Sequence, residues 1–292
     1  MKLAPYYEDL MHRATQRRHS EILPQAKQAY QESAGAIYDD DQGYENRMGL
    51  FIEWFIFDRL PDDGLPPLLQ TLAREERNLG DLERAAAFDE FQGHVHGLFV
   101  LLKLKKDRVI VSNLFDGKKY EVLQEPGDLM FGKNDIFQAR LLPHQGAYYF
   151  SGNFCYHPKE SVPFIQGEVK KIAAEEAALH KQLAALNGKI KDLHSRLAKA
   201  DKALDKLAAK RAKGPSEKKA ARLKQERDDM IFSRKNLESE IAGLNQARET
   251  LEAVKIRRGI AQERVRLMHR LSYMNLKWER SRNIALQDIY RN

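Results

Sequence analysis

The sequence predicts a mostly helical α+β protein with an N-terminal helical domain, a small antiparallel β barrel and a long antiparallel coiled-coil hairpin. Three observations lead to this fold class. Residues 1–92 place apolar side chains at helical spacing, and residues 93–165 contain short apolar and β-branched runs separated by turn residues. Residues 166–292 carry a heptad-like apolar repeat, and their last segment is expected to return to the globular end.

The first region is expected to contain several short helices. Its segment Phe51 to Phe57 carries aromatic rings on more than one helical face. This distribution predicts burial in a core, and the alternative is a partner-binding patch. Breaks are expected at Asp39–Gly43 and at Pro61–Gly64, because Asp, Gly and Pro favour turns.

The second region has the pattern of a small β domain. Asp116 and Gly117 lie between two apolar runs, which is a hairpin signal, and Gly127–Asp128 predicts another turn. About five short antiparallel strands in so short a region favour a closed barrel or half-barrel, as in OB-like and SH3-like domains.

The third region begins with a long helix whose apolar residues are alternately four and three apart, the spacing of a coiled-coil seam. These residues are Leu179, Leu183, Leu186, Ile190, Leu193, Leu197, Ala200, Leu204 and Leu207. Gly214–Pro215 predicts that the helix ends and the chain turns back, and Ser216 is expected to cap the next helix. The alternative is that both helices belong to a compact bundle.

The second helix carries its own seam, formed by Leu223, Met230, Leu237, Ile241 and Leu244. The apolar register then slips by three residues, which predicts local overwinding of the coiled coil. The residues of the slipped seam are Ala247, Leu251, Val254, Ala261, Val265 and Met268.

Composition excludes several classes of protein. No apolar run is long enough for a transmembrane helix, and charges throughout residues 1–20 argue against a secretory signal. The single cysteine cannot form an intrachain disulfide and suits a reducing compartment, so we expect a cytoplasmic protein. No motif implies a cofactor.

The net charge of +7 is unevenly distributed along the chain. Residues 1–165 contain 19 Lys or Arg against 25 Asp or Glu, a net charge of −6, whereas residues 166–292 contain 30 against 17, a net charge of +13. Residues 202–227, around the predicted turn, contain 10 basic and 3 acidic residues, a net charge of +7. The residues expected to bind a polyanion are Lys206, Lys210, Arg211, Lys213, Lys218, Lys219, Arg222 and Lys224.

Two regions resemble uncharacterised bacterial proteins in which a helix with a Trp-Phe-x-Phe-Asp motif precedes a small β domain. The helical region is Phe51 to Arg59, followed by Pro61 and Gly64 to Pro66, and the β region comprises Leu114 to Tyr120, Gly127–Asp128 and Ala139 to Leu141. Some proteins of this kind carry a cysteine-rich SEC-C zinc motif, which this chain lacks. The resemblance implies no activity.

Two other sites are conceivable from the sequence. His94 and His96 could meet Cys155 and His157 and hold zinc if the first and last strands pair, although ordinary packing explains them equally well. Aromatic residues of the β domain, with nearby cations, could stack single-stranded bases, or they could simply form a core. The residues concerned are Tyr148, Tyr149, Phe150, Tyr156, Lys118, Lys119 and Arg140.

The sequence thus favours a non-enzymatic binding protein whose basic arm contacts RNA, the ribosome or DNA. An acidic protein face is another partner that the arm could bind. One alternative is a coiled-coil scaffold or adaptor that pairs with other helices or with a second copy of the chain. Another is an enzyme or zinc protein that uses the four His and Cys residues, because sites assembled from distant residues leave no local motif.

Overall fold

The structure is a computed structural model. It describes residues 3–60, 66–123, 132–281 and 283–291. The turns expected at Pro61–Gly64 and Gly127–Asp128 lie outside the described residues. Across the part of the chain that is described, no helix has the length and apolar character needed to span a membrane.

The chain divides into two compact units. The first comprises Met1–Ile172 together with Glu263–Asn292, and the second comprises Ala173–Gln262. The helical N-terminal region, the sheet and the C-terminal residues therefore belong to the first unit. The second unit consists of long helices.

The first unit begins with short helices. Their bounds are α1 (Ala4–Thr15), α2 (Arg17–Ser20), α3 (Leu23–Ala34), α4 (Tyr44–Glu53), α5 (Leu68–Leu79) and α6 (Leu82–Phe91).

Local chemistry sets several of these boundaries. Pro5 and Pro24 lie in the first turns of α1 and α3, where a missing N–H costs no helical hydrogen bond. Gly80 ends α5 at a φ of +83°, and Asp81 caps α6 by accepting a hydrogen bond from the Arg84 backbone N–H at 3.0 Å.

A π-helical segment, Trp54–Asp58, continues α4. In it, the N–H of Arg59 donates to the carbonyl five residues back at 2.8 Å. This wider turn buries the consecutive side chains of Phe55, Ile56 and Phe57 to 5% exposure or less. The prediction that the aromatic segment forms core is confirmed.

The sheet follows α6. Its strands are β1 (Val95–Leu104), β2 (Arg108–Asn113), β3 (Lys119–Leu123), β4 (Ile136–His144), β5 (Ala147–Phe150) and β6 (Cys155–Tyr156). The predicted Asp116–Gly117 turn connects β2 to β3, with Gly117 at a φ of +69°.

The strand pairings return to their starting point. β1 pairs with β2 along its second half and with β4 along its first half, β2 pairs with β3, and β5 lies between β3 and β4. β3 and β5 are parallel, so the expectation of an entirely antiparallel sheet is wrong at this pair. Five strands paired in a cycle cannot alternate in direction all the way round, and one parallel pair is therefore required.

Long helices make up most of the remaining chain. Their bounds are α7 (Val162–Ala212), α8 (Glu217–Thr250), a π-helical segment (Leu251–Gly259), α9 (Ile260–Arg280) and the short α10 (Leu286–Ile289). α7 starts before the expected boundary at residue 166 because Pro163 fits the first turn of a helix.

The seams predicted for α7 and α8 are the apolar faces of these helices. All nine seam residues of α7 and all five of α8 are buried or half-buried. Leu193 clusters with Leu237 and Ile241, and the Asp201 carboxylate accepts a hydrogen bond from Arg234 Nε at 2.6 Å. Asp201 lies nearer the turn than Leu193, and its partner Arg234 lies nearer the turn than Leu237. The two helices therefore run antiparallel.

The seam predicted beyond α8 is correct at Leu251, Val265 and Met268, which are buried or half-buried, and wrong at Ala247, Val254 and Ala261, which are exposed. Around the end of α8 the buried residues are Leu251, Ile256 and Ile260. The buried residues are five and four apart because the backbone is π-helical here, with hydrogen bonds that span five residues. This widened turn replaces the overwinding that the register slip predicted.

The C-terminal residues complete a core of the first unit. Leu267, Leu271 and Tyr290 cluster with Leu98 of β1 and with Ile165 at the start of α7. This packing holds the start of α7 and the end of α9 against the sheet.

Candidate nucleic-acid interface

The basic segment around the turn between α7 and α8 comprises residues 202–227, and we call it the tip. α7 ends at Ala212, and Gly214 adopts a φ of +64° before Pro215, as the Gly–Pro pair predicted. Ser216 lies at the N-cap position of α8, but its side chain makes no capping hydrogen bond, which corrects the expected cap.

The eight residues predicted to bind a polyanion are all exposed. They lie in the last turns of α7, in the turn itself and in the first turns of α8, and they are Lys206, Lys210, Arg211, Lys213, Lys218, Lys219, Arg222 and Lys224. Exposure follows from the seam, because Leu207 and Leu223, at 3% and 7% exposed, point inward while the cations occupy the other helical positions.

The charges of the tip are not neutralised locally. None of its ten basic residues forms an ion pair with a residue that the structure describes. Elsewhere in the same unit, Arg234 pairs with Asp201 and with Glu238, and Arg257 pairs with Glu252. The tip therefore leaves a net charge of +7 available to a partner.

The cations of the tip are arranged in rows along the two helices. Lys202, Lys206 and Lys210 follow one another at intervals of four residues on α7, which places them on one helical face over about 12 Å. Lys218 and Arg222 are likewise four residues apart on α8. Ammonium and guanidinium groups in such rows can neutralise several phosphates at once.

The cations and aromatics considered for base stacking are only partly at the surface. Tyr149 and Phe150 are buried at 7% and 2% exposure, whereas Tyr148 and Tyr156 are half-buried. Lys118 and Lys119 are exposed. Tyr149 and Phe150 are consecutive and point to opposite faces of β5, and both are buried because Tyr149 packs with the N-terminal helices and Phe150 packs in the core of the sheet.

Arg140 does not reach the surface, where sequence reasoning had placed it. It is 1% exposed and forms ion pairs with Asp58 at 2.5 Å and with Glu53 at 3.3 Å, and its guanidinium lies 4.5 Å from the centre of the Phe57 ring. The signal that could have corrected the prediction is its position within the apolar run of β4. A charged residue there requires buried counter-ions.

The carboxylate of Asp58 links this cluster to the histidines of β1. His96 Nδ1 lies 3.0 Å from Asp58 Oδ2, and His94 Nε2 lies 3.8 Å from Asp58 Oδ1. Burial alone would raise the pKa of Asp58, but the nearby Arg140 and His96 outweigh burial and hold that pKa well below its usual range. The enclosed ion cluster therefore connects the aromatic segment of the helices to the sheet.

The four residues considered for zinc have different surroundings. β4 lies between β1 and β6, so the first and last strands do not pair, and the condition for convergence is not met. His157 faces the Tyr290 hydroxyl at 3.4 Å, and burial lowers the pKa of this histidine to about 3. Burial likewise raises the pKa of the Cys155 thiol to about 12. Within the described ranges, no three His, Cys, Asp or Glu residues are grouped to hold a metal ion.

Comparison with known proteins identifies the family of the chain. Neither the curated proteins nor the solved structures contain a match to it. The model of a family of unknown function, DUF7986, matches residues 4–187, a range that runs from α1 to the middle of α7 and covers most of the chain. The chain belongs to this family of unknown function.

Proposed function

We propose that this protein is a non-enzymatic nucleic-acid-binding protein whose tip contacts the phosphate backbone of RNA or DNA, including RNA within the ribosome. The observation that carries the proposal is the set of exposed cations at the tip, none of which is ion-paired with a described residue. A protein segment that needed its charges only to remain hydrated would mix both signs, as the paired residues Asp201 and Arg234 do further along the same helices.

The physical basis of binding is the release of counterions. Each phosphate that a lysine or arginine neutralises frees condensed cations into solution, which makes affinity strongly dependent on salt. Contacts of this kind position a protein on nucleic acid without reading the sequence of the bases. The proposed activity is therefore backbone recognition with little sequence preference.

The proposal also assigns a structure to the five strands and to the pair of long helices. The five strands that pair in a cycle act as a small closed barrel of the OB type, and α7 and α8 act as an antiparallel coiled coil that carries the tip. The cycle of pairings and the buried seam support these assignments. In this arrangement the coiled coil presents the tip to a partner.

A charge-reversal variant tests the proposal. Binding of generic RNA and DNA is measured at about 50 mM and about 200 mM salt. Reversal of five tip cations to Glu is expected to weaken binding by about 100-fold or more and to flatten the salt dependence. The five are Lys210, Arg211, Lys218, Lys219 and Arg222.

A matched control variant has the same net charge as the tip variant, because it also reverses five cations. It reverses five exposed lysines outside the tip, and a small effect is expected because these positions do not form rows with one another. They are Lys103, Lys106, Lys119, Lys133 and Lys235. If the control loses as much affinity as the tip variant, or if the tip variant binds normally, the proposal is wrong.

A second candidate function is that of a scaffold, in which the helices pair with another protein or with a second copy of the chain. Ile231 and Phe232 favour it, because they are 40% and 67% exposed on α8 and lie outside the seam. A scaffold would associate in a concentration-dependent way, with little sensitivity to tip charge. Sedimentation of the Phe232→Ser variant distinguishes the two functions, since only a scaffold would lose its association.

A further inference from the structure

We infer that the nucleic acid recognised by the tip is double-stranded, and that the tip does not bind unpaired bases. This inference rests on the proposed function and specifies its ligand. It depends on which side chains the tip contains, on how rigidly the backbone that carries them is held and on where the nearest exposed aromatic ring lies.

The tip lacks the groups that bind unpaired bases. Proteins that bind single strands stack the bases on aromatic side chains, and this stacking supplies a large part of their affinity. Residues 202–227, all of which the structure describes, contain no Phe, Tyr, Trp or His. The only side-chain amide in this range, Gln225, donates a hydrogen bond to Asp229 at 2.9 Å. Seven of the ten cations are lysines, which act as point charges toward phosphate.

The backbone positions that carry the cations are also fixed relative to one another, although the lysine side chains themselves are flexible. The rows on α7 and α8 lie on helices whose seam side chains, Leu207 and Leu223, are buried near the turn. A duplex presents phosphates on a stiff scaffold, so cations spaced along a helix can meet several phosphates without ordering the ligand. A single strand would have to lose conformational freedom to follow the row, and no stacking contact at the tip would offset that loss.

Charge density favours the same ligand. Double-stranded DNA carries one charge per about 1.7 Å of axis, and each neutralised phosphate contributes about 0.9 to the salt slope, against about 0.7 for a single strand. For equal numbers of contacts, counterion release is therefore greater on a duplex. The three arginines of the tip, Arg211, Arg222 and Arg227, can add bidentate contacts to phosphate.

The nearest strongly exposed aromatic residue on α8 does not change this conclusion. Phe232 is ten residues beyond Arg222, which is about 15 Å along the helix. The exposed carboxylates of Asp228 and Asp229 lie between Phe232 and the tip. Two negative charges on the path between the cations and the ring would repel the phosphates of a strand that tried to reach both.

The test compares ligands of matched length on the full chain. Fluorescence anisotropy is measured with duplexes of roughly 20 base pairs, as RNA and as DNA, and with oligo(U) and oligo(dT) single strands of the same length. The duplexes are expected to bind at least about 10-fold more tightly than the single strands and to give the steeper salt slope. The charge-reversed tip variant is expected to lose duplex binding.

The outcomes separate the inference from the proposed function. If the single strands bind as tightly as the duplexes, and the tip variant loses both, the inference is wrong and the proposed function stands. If no ligand binds at low salt, the proposed function itself is wrong. The Phe232→Ser variant is expected to bind every ligand normally, and a selective loss of single-strand binding in it would also overturn the inference.

Discussion

At the scale of single residues, Arg140 of the sheet is joined to the helices by ion pairs with Glu53 and Asp58. Its guanidinium is enclosed with Asp58 and Glu53, and Tyr7 and Asn153 donate hydrogen bonds to the Glu53 carboxylate at 2.7 and 2.6 Å. A buried ion cluster is tolerated only when each charge has partners, because moving a charge out of water costs several kcal/mol.

Removal of one member of this cluster should therefore be costly. Arg140→Met is expected to destabilise the protein by about 3–5 kcal/mol, because it leaves Asp58 and Glu53 buried without their cation. Arg108→Met is the control, since Arg108 pairs on the exposed surface of the same sheet with Asp107 and Glu121, where a pair contributes about 0–1 kcal/mol. Urea unfolding measures both.

One outcome of the urea experiment would contradict the role of the buried cluster. If Arg140→Met shifts the urea midpoint no more than Arg108→Met does, the cluster is not what holds the helices and the sheet together. The exposed ion pair would then contribute as much to the free energy of unfolding as the buried one. The difference in burial between the two pairs predicts the opposite.

At the scale of elements, the sequence determines where helices end more reliably than how they are wound. Gly214 and Pro215 predicted the turn between α7 and α8, and the seam residues predicted the faces that are buried. The π-helical segments at Trp54–Asp58 and Leu251–Gly259 were not predicted. Winding depends on tertiary packing, and Phe55, Ile56 and Phe57 could all be buried only because the backbone widened.

Two glycines of the helix pair give opposite predictions for the same change. Gly214→Ala is expected to destabilise the protein by about 1 kcal/mol, because Ala is strained at a φ of +64°. Gly188→Ala is expected to stabilise it by about 0.5–1 kcal/mol, because Gly188 lies within α7 with open space around the added methyl group.

The two variants serve as controls for each other, since both add one methyl group without a steric clash. Urea unfolding followed by the helical circular dichroism signal gives the two shifts. A stabilising Gly214→Ala would mean that the turn does not adopt the left-handed conformation.

At the scale of the whole molecule, the charge distribution could be predicted from the sequence, but the ion pairing could not. Counting residues was enough to locate the tip, whereas only the structure distinguishes Lys210, which has no ion pair with a described residue, from Arg234, which pairs with Asp201 and Glu238. The buried position of Arg140 was missed for the same reason. Its counter-ions Glu53 and Asp58 are more than eighty residues away in the sequence.

The β domain was predicted in outline but not in connectivity. Turn residues located the β2–β3 connection at Gly117, but no local signal reveals that β3 and β5 are parallel neighbours. Parallel pairing joins residues that are distant in the chain, and it depends on the closure of the whole set of strands. For this reason the metal site, which required β1 to meet β6, could not be judged from residue spacing alone.

The most direct test of the central claim maps the contact itself. Lysine acetylation of the full chain is measured with and without a nucleic-acid duplex at low salt. We predict that Lys210, Lys218 and Lys219 lose reactivity when the duplex is present, while the exposed Lys103 and Lys106 of the first unit react as before. Unchanged reactivity at the tip, or equal protection of both sets, would contradict the account.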